Sequence, residues 1–469
     1  MATARRYGDI TEVNPAGHRH FVSNSYAHDD MWREGPWQRQ RGNNFLMFHP
    51  GVLLVQWNGS PAARDMILST TDGYLAHAKP ASGGGATLPA QIDWPSDGEF
   101  TPSGVSGGAG GAGLGGSTSV FWAAYRWTGD EKYLQPLMNG PPRSLTALNA
   151  DVTSILGRRD EWGPGFIQQA GASDPYRLSN TGGAGSPLAM ARFGAWQSTG
   201  DKRYLETLYG EEIRSASQRM PIVTDGHLWS DRVQIPSEML QRSRLGGIAL
   251  RRGQIYPGNV VSWAFEGEDN GESVAILVPE ATQTRFKVIV FNVTDHPVRA
   301  AMTGWDVTAG RWTVSGGVDA NGDDTADTAS TRTIDFGPNA SESLTFAPGV
   351  ATVLTFDLAE AGQSVSSRPD VGLDPQDVAG SGRDLRVTVH GLGAVDSPAG
   401  EVIVEDASGR EIVRGAFPAL AAPLDLQPKT TTVALRLPSG VSRQGLRVRL
   451  ALAGDPLEIS RTNNAVTLP

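Results

Sequence analysis

No cysteine occurs among the 469 residues, which excludes disulfides and thiolate metal ligands and leaves the redox environment open. No apolar run is long enough to cross a bilayer, so membrane insertion is not expected. The opening stretch from Met1 to Asp9 has two arginines but no apolar core of a secretory signal. Also missing are a Walker A motif, a dinucleotide fingerprint behind a strand and a His-Glu-x-x-His pair, so no nucleotide or organic cofactor is expected. An excess of basic residues is lacking as well: 40 Lys and Arg face 50 Asp and Glu, a formal charge of −10. That balance argues against a polyanion-binding surface spread over the whole molecule and against a nucleic-acid partner, while leaving local basic clefts open.

What is present is ample core material, with 39% hydrophobic and 19% charged residues, over a length that implies two to four domains. Ten of the 12 tryptophans precede residue 264. An indole fills a core well and also stacks on the apolar face of a pyranose; for any single Trp, core packing is the commoner role.

The clearest internal signal is a short repeat. The segment Ala124 to Leu134 matches Ala195 to Leu205, and the Thr-Gly-Asp cores at Thr128 and Thr199 lie 71 positions apart. Each copy reads as helix, tight turn, helix. Trp122 with Tyr125, and Phe193 with Trp196, give the first helices an apolar face. Gly129 and Gly200 suit the left-handed position that ends a helix, and Asp130 and Asp201 suit the N-cap of the next. Tyr133, Leu134 and Leu137, like Tyr204, Leu205 and Leu208, form the inward stripe of the second helices. Further helices are expected over 61–78, behind Pro61, and over 144–156. The glycine-rich stretches 82–85 and 106–116 are expected as loops on a cleft rim.

Near residue 254 the pattern turns to alternation. Strands are expected at 260–265, 273–278, 286–291, 343–346 and 351–357, which make an antiparallel β-sandwich over 254–359. Residues 360–383, rich in Gly, Ser, Pro and Asp, read as a linker. Strands at 384–389, 401–405, 431–437, 446–452 and 465–468 then make a second, smaller sandwich over 384–469.

Two resemblances attach to these segments. The strand opening at Asp384, the central strand from Thr431 to Leu437 and the closing stretch from Glu458 to Leu468, with its paired Asn463-Asn464, resemble the CARDB family of bacterial cell-surface adhesion-like domains. That resemblance implies an immunoglobulin-like fold. The Thr-Gly-Asp hairpins, the passage from Trp229 to Gly247 and the strand ending at Leu358 are similar to the (α/α)-toroid plus β-sandwich layout of polysaccharide lyases and some glycoside hydrolases. The 253 residues ahead of the sandwich supply fewer hairpins than a closed toroid needs, so an incomplete toroid is expected. Together the resemblances imply a multidomain α+β protein that is extracellular or periplasmic, its true N-terminus lying upstream, with an acidic polysaccharide or oligosaccharide as partner.

β-Elimination from a uronate needs a group that neutralises the carboxylate, a base for the C5 proton and an acid for the leaving oxygen. Asn24, Tyr26 and His28 stand at alternate positions and would face one way in an extended stretch, offering all three. A polar loop whose histidine caps a helix is the alternative. His49 and His77 are weaker candidates; His77 is read on an otherwise apolar helical face, where a hydrogen-bonded core histidine is common. Tyr176, Arg177 and Asn180 could meet a carboxylated sugar, or simply form a solvated loop. His227, Asp231 and Arg232 lie near the helix-to-strand passage and could equally tie two domains together. A glycosidase would instead need paired carboxylates, for which Asp29, Asp30, Glu34, Asp93 and Glu161 are available.

Finally, Asp319, Asn321, Asp323 and Asp327 hold positions 1, 3, 5 and 9 of a loop, the spacing by which a chain wraps calcium. Asp324 replaces the glycine of position 6 and Ser330 the glutamate of position 12, so an acidic turn between strands is the competing reading. The function expected from all this is a polysaccharide lyase, with Asn24 and Arg177 at the carboxylate and His28 and Tyr26 as base and acid. A glycoside hydrolase on the same scaffold and a non-catalytic glycan-binding or adhesion protein are the alternatives.

Overall fold

The computed structural model describes residues 10–24, 26, 27, 30–81, 85–100, 115–138, 168, 187–224, 243–247, 258–279 and 281–469. His28, Tyr176, Arg177, Asn180, His227, Asp231 and Arg232, and the helix expected over 144–156, lie outside the described residues. The described part is mixed helix and sheet, and antiparallel strands dominate its second half.

The first hundred residues carry short ladders among helices. β1 (Thr11–Val13) pairs antiparallel with β2 (Arg19–Phe21), placing Glu12 opposite His20. β3 (Tyr26–Ala27) pairs with β4 (Asp30–Met31), and β6 (Lys79–Pro80) with β7 (Ala86–Thr87). β5 (Arg39–Arg41), β8 (Gln91–Asp93) and β9 (Gly98–Phe100) make a three-stranded sheet. Helix α1 spans His49–Asn58 and α2 spans Pro61–Leu75. As the sequence implies, Pro61 opens α2 and the Ser60 hydroxyl caps it by accepting from the Ala63 N–H. The helix stops at Leu75, ahead of His77.

The repeat folds as two hairpins around one core. In the first copy, α3 (Gly115–Thr128) leads into a 3-10 turn over Glu131–Met138; in the second, α4 (Pro187–Thr199) leads into α5 (Arg203–Thr224). Gly129 and Gly200 adopt φ of 71° and 75°. Their N–H groups donate to the carbonyls of Tyr125 and Trp196 at 2.7 and 2.6 Å, closing the helices as expected. The carboxylates of Asp130 and Asp201 accept from the N–H groups of Lys132 and Arg203 at 2.9 and 3.0 Å. The copies differ after the cap. The first, with Pro136 inside it, winds as 3-10, where the second runs on as a long α-helix. Trp122, Tyr133, Leu137, Phe193, Trp196 and Leu205 are buried together with Phe21, Phe45 and Tyr74. Arg192 and Glu211, both fully buried, pair between α4 and α5, an arrangement that is strongly destabilised when only one partner is removed.

The middle segment has two sheets sharing one core. β10 (Val261–Phe265), β13 (Val298–Gly304) and β16 (Ser341–Phe346) form one. The other runs β11 (Val274–Leu277), β12 (Arg285–Asn292), β17 (Ala351–Ala361), β14 (Gly310–Asp319), β15 (Ser330–Phe336). β13, β14 and β15 are additional to the strands read from the sequence. Arg126 of α3 pairs with Asp306 at 2.7 Å, and Gln283 donates to the same carboxylate at 2.9 Å, joining the helices to this sandwich.

The C-terminal segment again has two sheets around one core. β20 (Asp384–Gly391) pairs with β18 (Val371–Gly372), β19 (Val378–Ala379) and β23 (Lys429–Arg436). The second sheet runs β22 (Glu411–Phe417), β21 (Gly400–Glu405), β24 (Arg447–Leu452), β25 (Ala465–Thr467). The stretch expected as a linker is therefore structured: β17 extends to Ala361, and Val371, Leu373 and Val378 belong to the C-terminal core. Backbone pairing with β20 overrides a composition that reads as loop.

Asp370, fully buried, anchors this segment. Its carboxylate accepts from the Ser460 N–H at 3.2 Å and the Asn463 amide at 3.1 Å, and from the side chain of Trp57 on α1. Beside it, the Asn58 amide donates to the Leu392 carbonyl at 2.8 Å. Burial lifts the Asp370 carboxyl to about 7, against the pull of those hydrogen bonds and with the help of nearby Glu458. A carboxyl raised in the folded state stabilises the fold while protonated, so stability should fall as pH rises from about 4 to about 7. Melting temperatures across that range should show the decline, and Asp370→Asn should flatten it. A profile unchanged by the substitution would contradict the assignment.

Candidate functional site

Among the described residues, three histidines and an aspartate gather from three chain segments, two of them far from the first in sequence. β2 contributes His20, which is fully buried, and the position just ahead of the strand contributes His18. The chain just beyond α2 contributes His77. The turn between β8 and β9 contributes Asp97, whose φ of 59° puts it in the left-handed region, which Asp tolerates better than most residues and which recurs at functional turns. Gly73 is what lets these segments meet. A Cβ at that position would lie 2.5 Å from the Arg19 carbonyl oxygen, so only glycine allows α2 to approach β2 this closely.

Asp97 is the hub. One carboxylate oxygen lies 2.9 Å from His18 Nδ1; the other lies 3.1 Å from His20 Nε2, 3.4 Å from His77 Nε2 and 2.6 Å from the Asn14 amide nitrogen. Burial pulls its carboxyl upward, but hydrogen bonds from Asn14, His18 and His20 outweigh this and hold it at about 2. Burial lowers the pKa of His20, against hydrogen bonds to Gln40 and Asp97. Behind the imidazoles stand two further groups. His20 Nδ1 lies 3.0 Å from Gln40 Oε1, and His77 Nδ1 lies 3.7 Å from Glu99. Three imidazoles and one carboxylate, with amide and carboxylate partners behind them, form a donor set of transition-metal type.

His18 also lines a cleft of about 840 Å³. Among the described residues, Arg19, Lys79 and Lys132 line it too, with one carboxylate, Asp72, and with Gly85 and Ala86. The rim expected from the glycine-rich stretch at 82–85 is thus present at its described end. Lys132 pairs with Asp72 at 3.0 Å, and the Tyr133 hydroxyl donates to Asp72 at 2.8 Å. His77 is expected on a helical face as a substrate contact, but the structure places it past the helix end and against Asp97, behind the cleft wall.

Asn24 has a different task from the one its spacing implies. Its amide nitrogen donates to the carbonyls of Pro36 and Arg39, both at 2.9 Å, and its N–H donates to the Trp37 carbonyl at 2.7 Å. Both amide hydrogens are committed, which leaves none for a substrate carboxylate. What Asn24 holds is the loop presenting Trp32 and Trp37, exposed by 49% and 38% and set edge to face with ring centroids 5.2 Å apart. Tyr26 lies on β3 of the neighbouring hairpin.

The acidic loop after β14 closes on itself. The Asp319 carboxylate accepts from the N–H groups of Gly322, Asp323 and Asp324 at 2.8 to 3.2 Å, and Asp327 accepts from the Ala320 N–H at 2.7 Å. Asn321 donates to Asp323 at 3.1 Å, and Lys202 pairs with Asp324. These carboxylates cap their own turn, the arrangement of an acidic connection between strands.

No protein-family model matches the chain, and no curated protein does. Among solved structures, a β-glucuronidase from Ruminococcus gnavus aligns at 11% identity over 39% of this chain and 35% of that one, with a TM-score of 0.16. A β-porphyranase of glycoside hydrolase family 86 from the human gut bacterium Bacteroides plebeius aligns at 14% over 41% and 32%, with a TM-score of 0.12. A β-1,2-glucanase from Parabacteroides distasonis aligns at 8% over 39% and 37%, with a TM-score of 0.15. The chain spans about a third of the length of these structures. Among the described residues, no helix is long and apolar enough to cross a membrane.

The close approach at Gly73 is open to direct test. Gly73→Ala should destabilise the fold by about 1–3 kcal/mol, because α2 must move off β2 to admit the methyl group. Urea unfolding measures the loss, and a change below about 0.5 kcal/mol would show that the helix shifts freely.

Proposed function

We propose that this chain is a carbohydrate-active enzyme that takes a uronate-bearing glycan and cleaves it by β-elimination. The observation that carries the reading is the lining of the cleft among the described residues: three cationic side chains, Arg19, Lys79 and Lys132, with one carboxylate, in a volume typical of ligand sites. Such a wall suits an acidic sugar. The neutralising role first given to Asn24 passes to these cations, whose charge offsets the carboxylate and makes the C5 proton easier to remove.

Tyr26 and His28 are the proposed proton-transfer groups. The base takes the C5 proton, the C4–C5 double bond forms, the C4–O bond breaks, and the acid protonates the leaving oxygen. Arg19 and Tyr26 are separated by seven chain steps, at most about 24 Å when extended, a distance an oligosaccharide can bridge. The exposed Trp32 and Trp37 beside the hairpin supply a stacking surface for sugar rings. An extracellular or periplasmic setting, a toroid-like helical region and a CARDB-like C-terminal domain belong to the same proposal.

A panel of uronic polysaccharides, followed by the ultraviolet absorbance of an unsaturated product, tests the reading. New reducing ends without that absorbance would mean hydrolysis, and binding with neither would mean a glycan-binding protein. His28→Ala should abolish turnover. Lys132→Ala should weaken binding of an acidic oligosaccharide about 3- to 10-fold, with a smaller effect at high salt. Equal affinity for neutral and acidic glycans would sink the cleft assignment.

A further inference from the structure

We propose that His18, His20, His77 and Asp97 form a site for one divalent transition metal ion of zinc type. The site is argued from its own geometry and does not depend on the glycan reading. One donor atom from each of the four residues lies within 4.8 Å of all the others. A tetrahedral ion with metal–nitrogen bonds of about 2.0–2.1 Å needs its ligand atoms about 3.3 Å apart. Asp97 Oδ1 lies 3.1 and 3.4 Å from the Nε2 atoms of His20 and His77, and Asp97 Oδ2 lies 2.9 Å from His18 Nδ1, so the donor pairs set wider, up to 4.8 Å, must draw in by up to about 1.5 Å to close round one ion.

The hydrogen bonds behind the ligands choose the right faces. Gln40 Oε1 accepts from the Phe21 N–H at 3.1 Å, and a backbone N–H can only donate, so this atom is the amide oxygen. His20 Nδ1, 3.0 Å from the same oxygen, must therefore be the protonated nitrogen. That assignment leaves Nε2 directed at an Asp97 oxygen 3.1 Å away, a contact that a proton on Nε2 closes as a hydrogen bond and that a metal ion would close as a pair of ligands. His77 repeats the pattern: Nε2 is buried without a hydrogen bond and points at Asp97, while Nδ1 turns towards Glu99. A ligating histidine whose other nitrogen meets an amide or carboxylate is the usual outer arrangement of a zinc site.

Four protein donors leave no open coordination position, so the ion would have a structural task. It would pin β2, the chain beyond α2 and the Asp97 turn together. An entry path exists, because the His18 side chain is 34% exposed and lies on the cleft wall.

The test uses the full chain, freed of metal with a chelator and dialysed near neutral pH. Calorimetric titration with Zn2+ should give one ion per chain, and the melting temperature should rise with saturation. Co2+ should give the intense visible absorption of a tetrahedral complex. His18→Ala and His77→Ala should each weaken binding by at least about tenfold, and Gln40→Met by about 10- to 100-fold. Circular dichroism checks that each variant folds; should His77→Ala fail to fold, His18→Ala and the Co2+ spectrum of the unaltered chain still decide. The absence of saturable binding at one equivalent would leave a proton as the only cation in the cluster and overturn the proposal. So would binding that persists unchanged in His18→Ala, or a weak octahedral Co2+ spectrum.

Discussion

The first hundred residues are organised around the Asp97 carboxylate. It is only 17% exposed, yet it stays ionised because Asn14, His18 and His20 all direct polar atoms at it. An ionised carboxylate in such a place is stable only while those partners hold their positions. Asn14, His18 and His20 all come from the β1–β2 hairpin, and His77 approaches from the chain beyond α2. Asn14 is itself fixed, since its side-chain oxygen accepts from the N–H groups of Ala16 and His18 at 3.0 Å. The backbone of Asp97 adopts a left-handed conformation to present the carboxylate. Strain of this kind persists where surrounding contacts over-determine the residue.

Local rules were read correctly where local physics decides. The Thr-Gly-Asp turns, their left-handed glycines and their aspartate caps depend on a few adjacent residues, and all are found. The strands with clear alternation are found too. β14 escaped because Gly316 and Gly317 lie inside it, and glycine pairs read as turns. Their Cβ atoms would stand 2.3 Å from the carbonyl oxygens of Val353 and Thr328, so the glycines mark close strand approach within the sheet. β15, Ser330–Phe336, is mostly exposed and carries little apolar signal. β18 and β19 are two residues each and exist by pairing with β20, a long-range fact no local composition carries.

The candidate site was legible only in fragments. His77 was singled out, for the wrong surroundings. His18 and His20 stand at alternate positions ahead of an aromatic residue, and Asp97-Gly98 is a hairpin-turn pair, so both signals were available. Nothing in their spacing says that segments nearly 80 residues apart converge. Alternation with Tyr26 and His28 implies a shared face for Asn24, whose amide is drawn into holding the Trp37 loop. Asn frequently serves its own loop in this way, because its short side chain imitates a backbone peptide.

The cluster and the cleft share the elements that build them, with an offset of one residue. On β2, Arg19 lines the cleft while His20 turns inward to Gln40 and Asp97. Beyond α2, Ala76 and Ala78 line the cleft while His77 between them faces the cluster. On β2 this follows from the way a strand displays successive side chains on opposite faces, and there neither wall can shift without moving the other. Gly73 adds the third constraint, because the contact it allows with Arg19 locks the helix to the same strand. A cation held among the histidines would therefore stiffen the wall that Arg19 presents to a ligand. The positions of charge in the cleft then depend on His20, His77 and Asp97, which stand behind its wall.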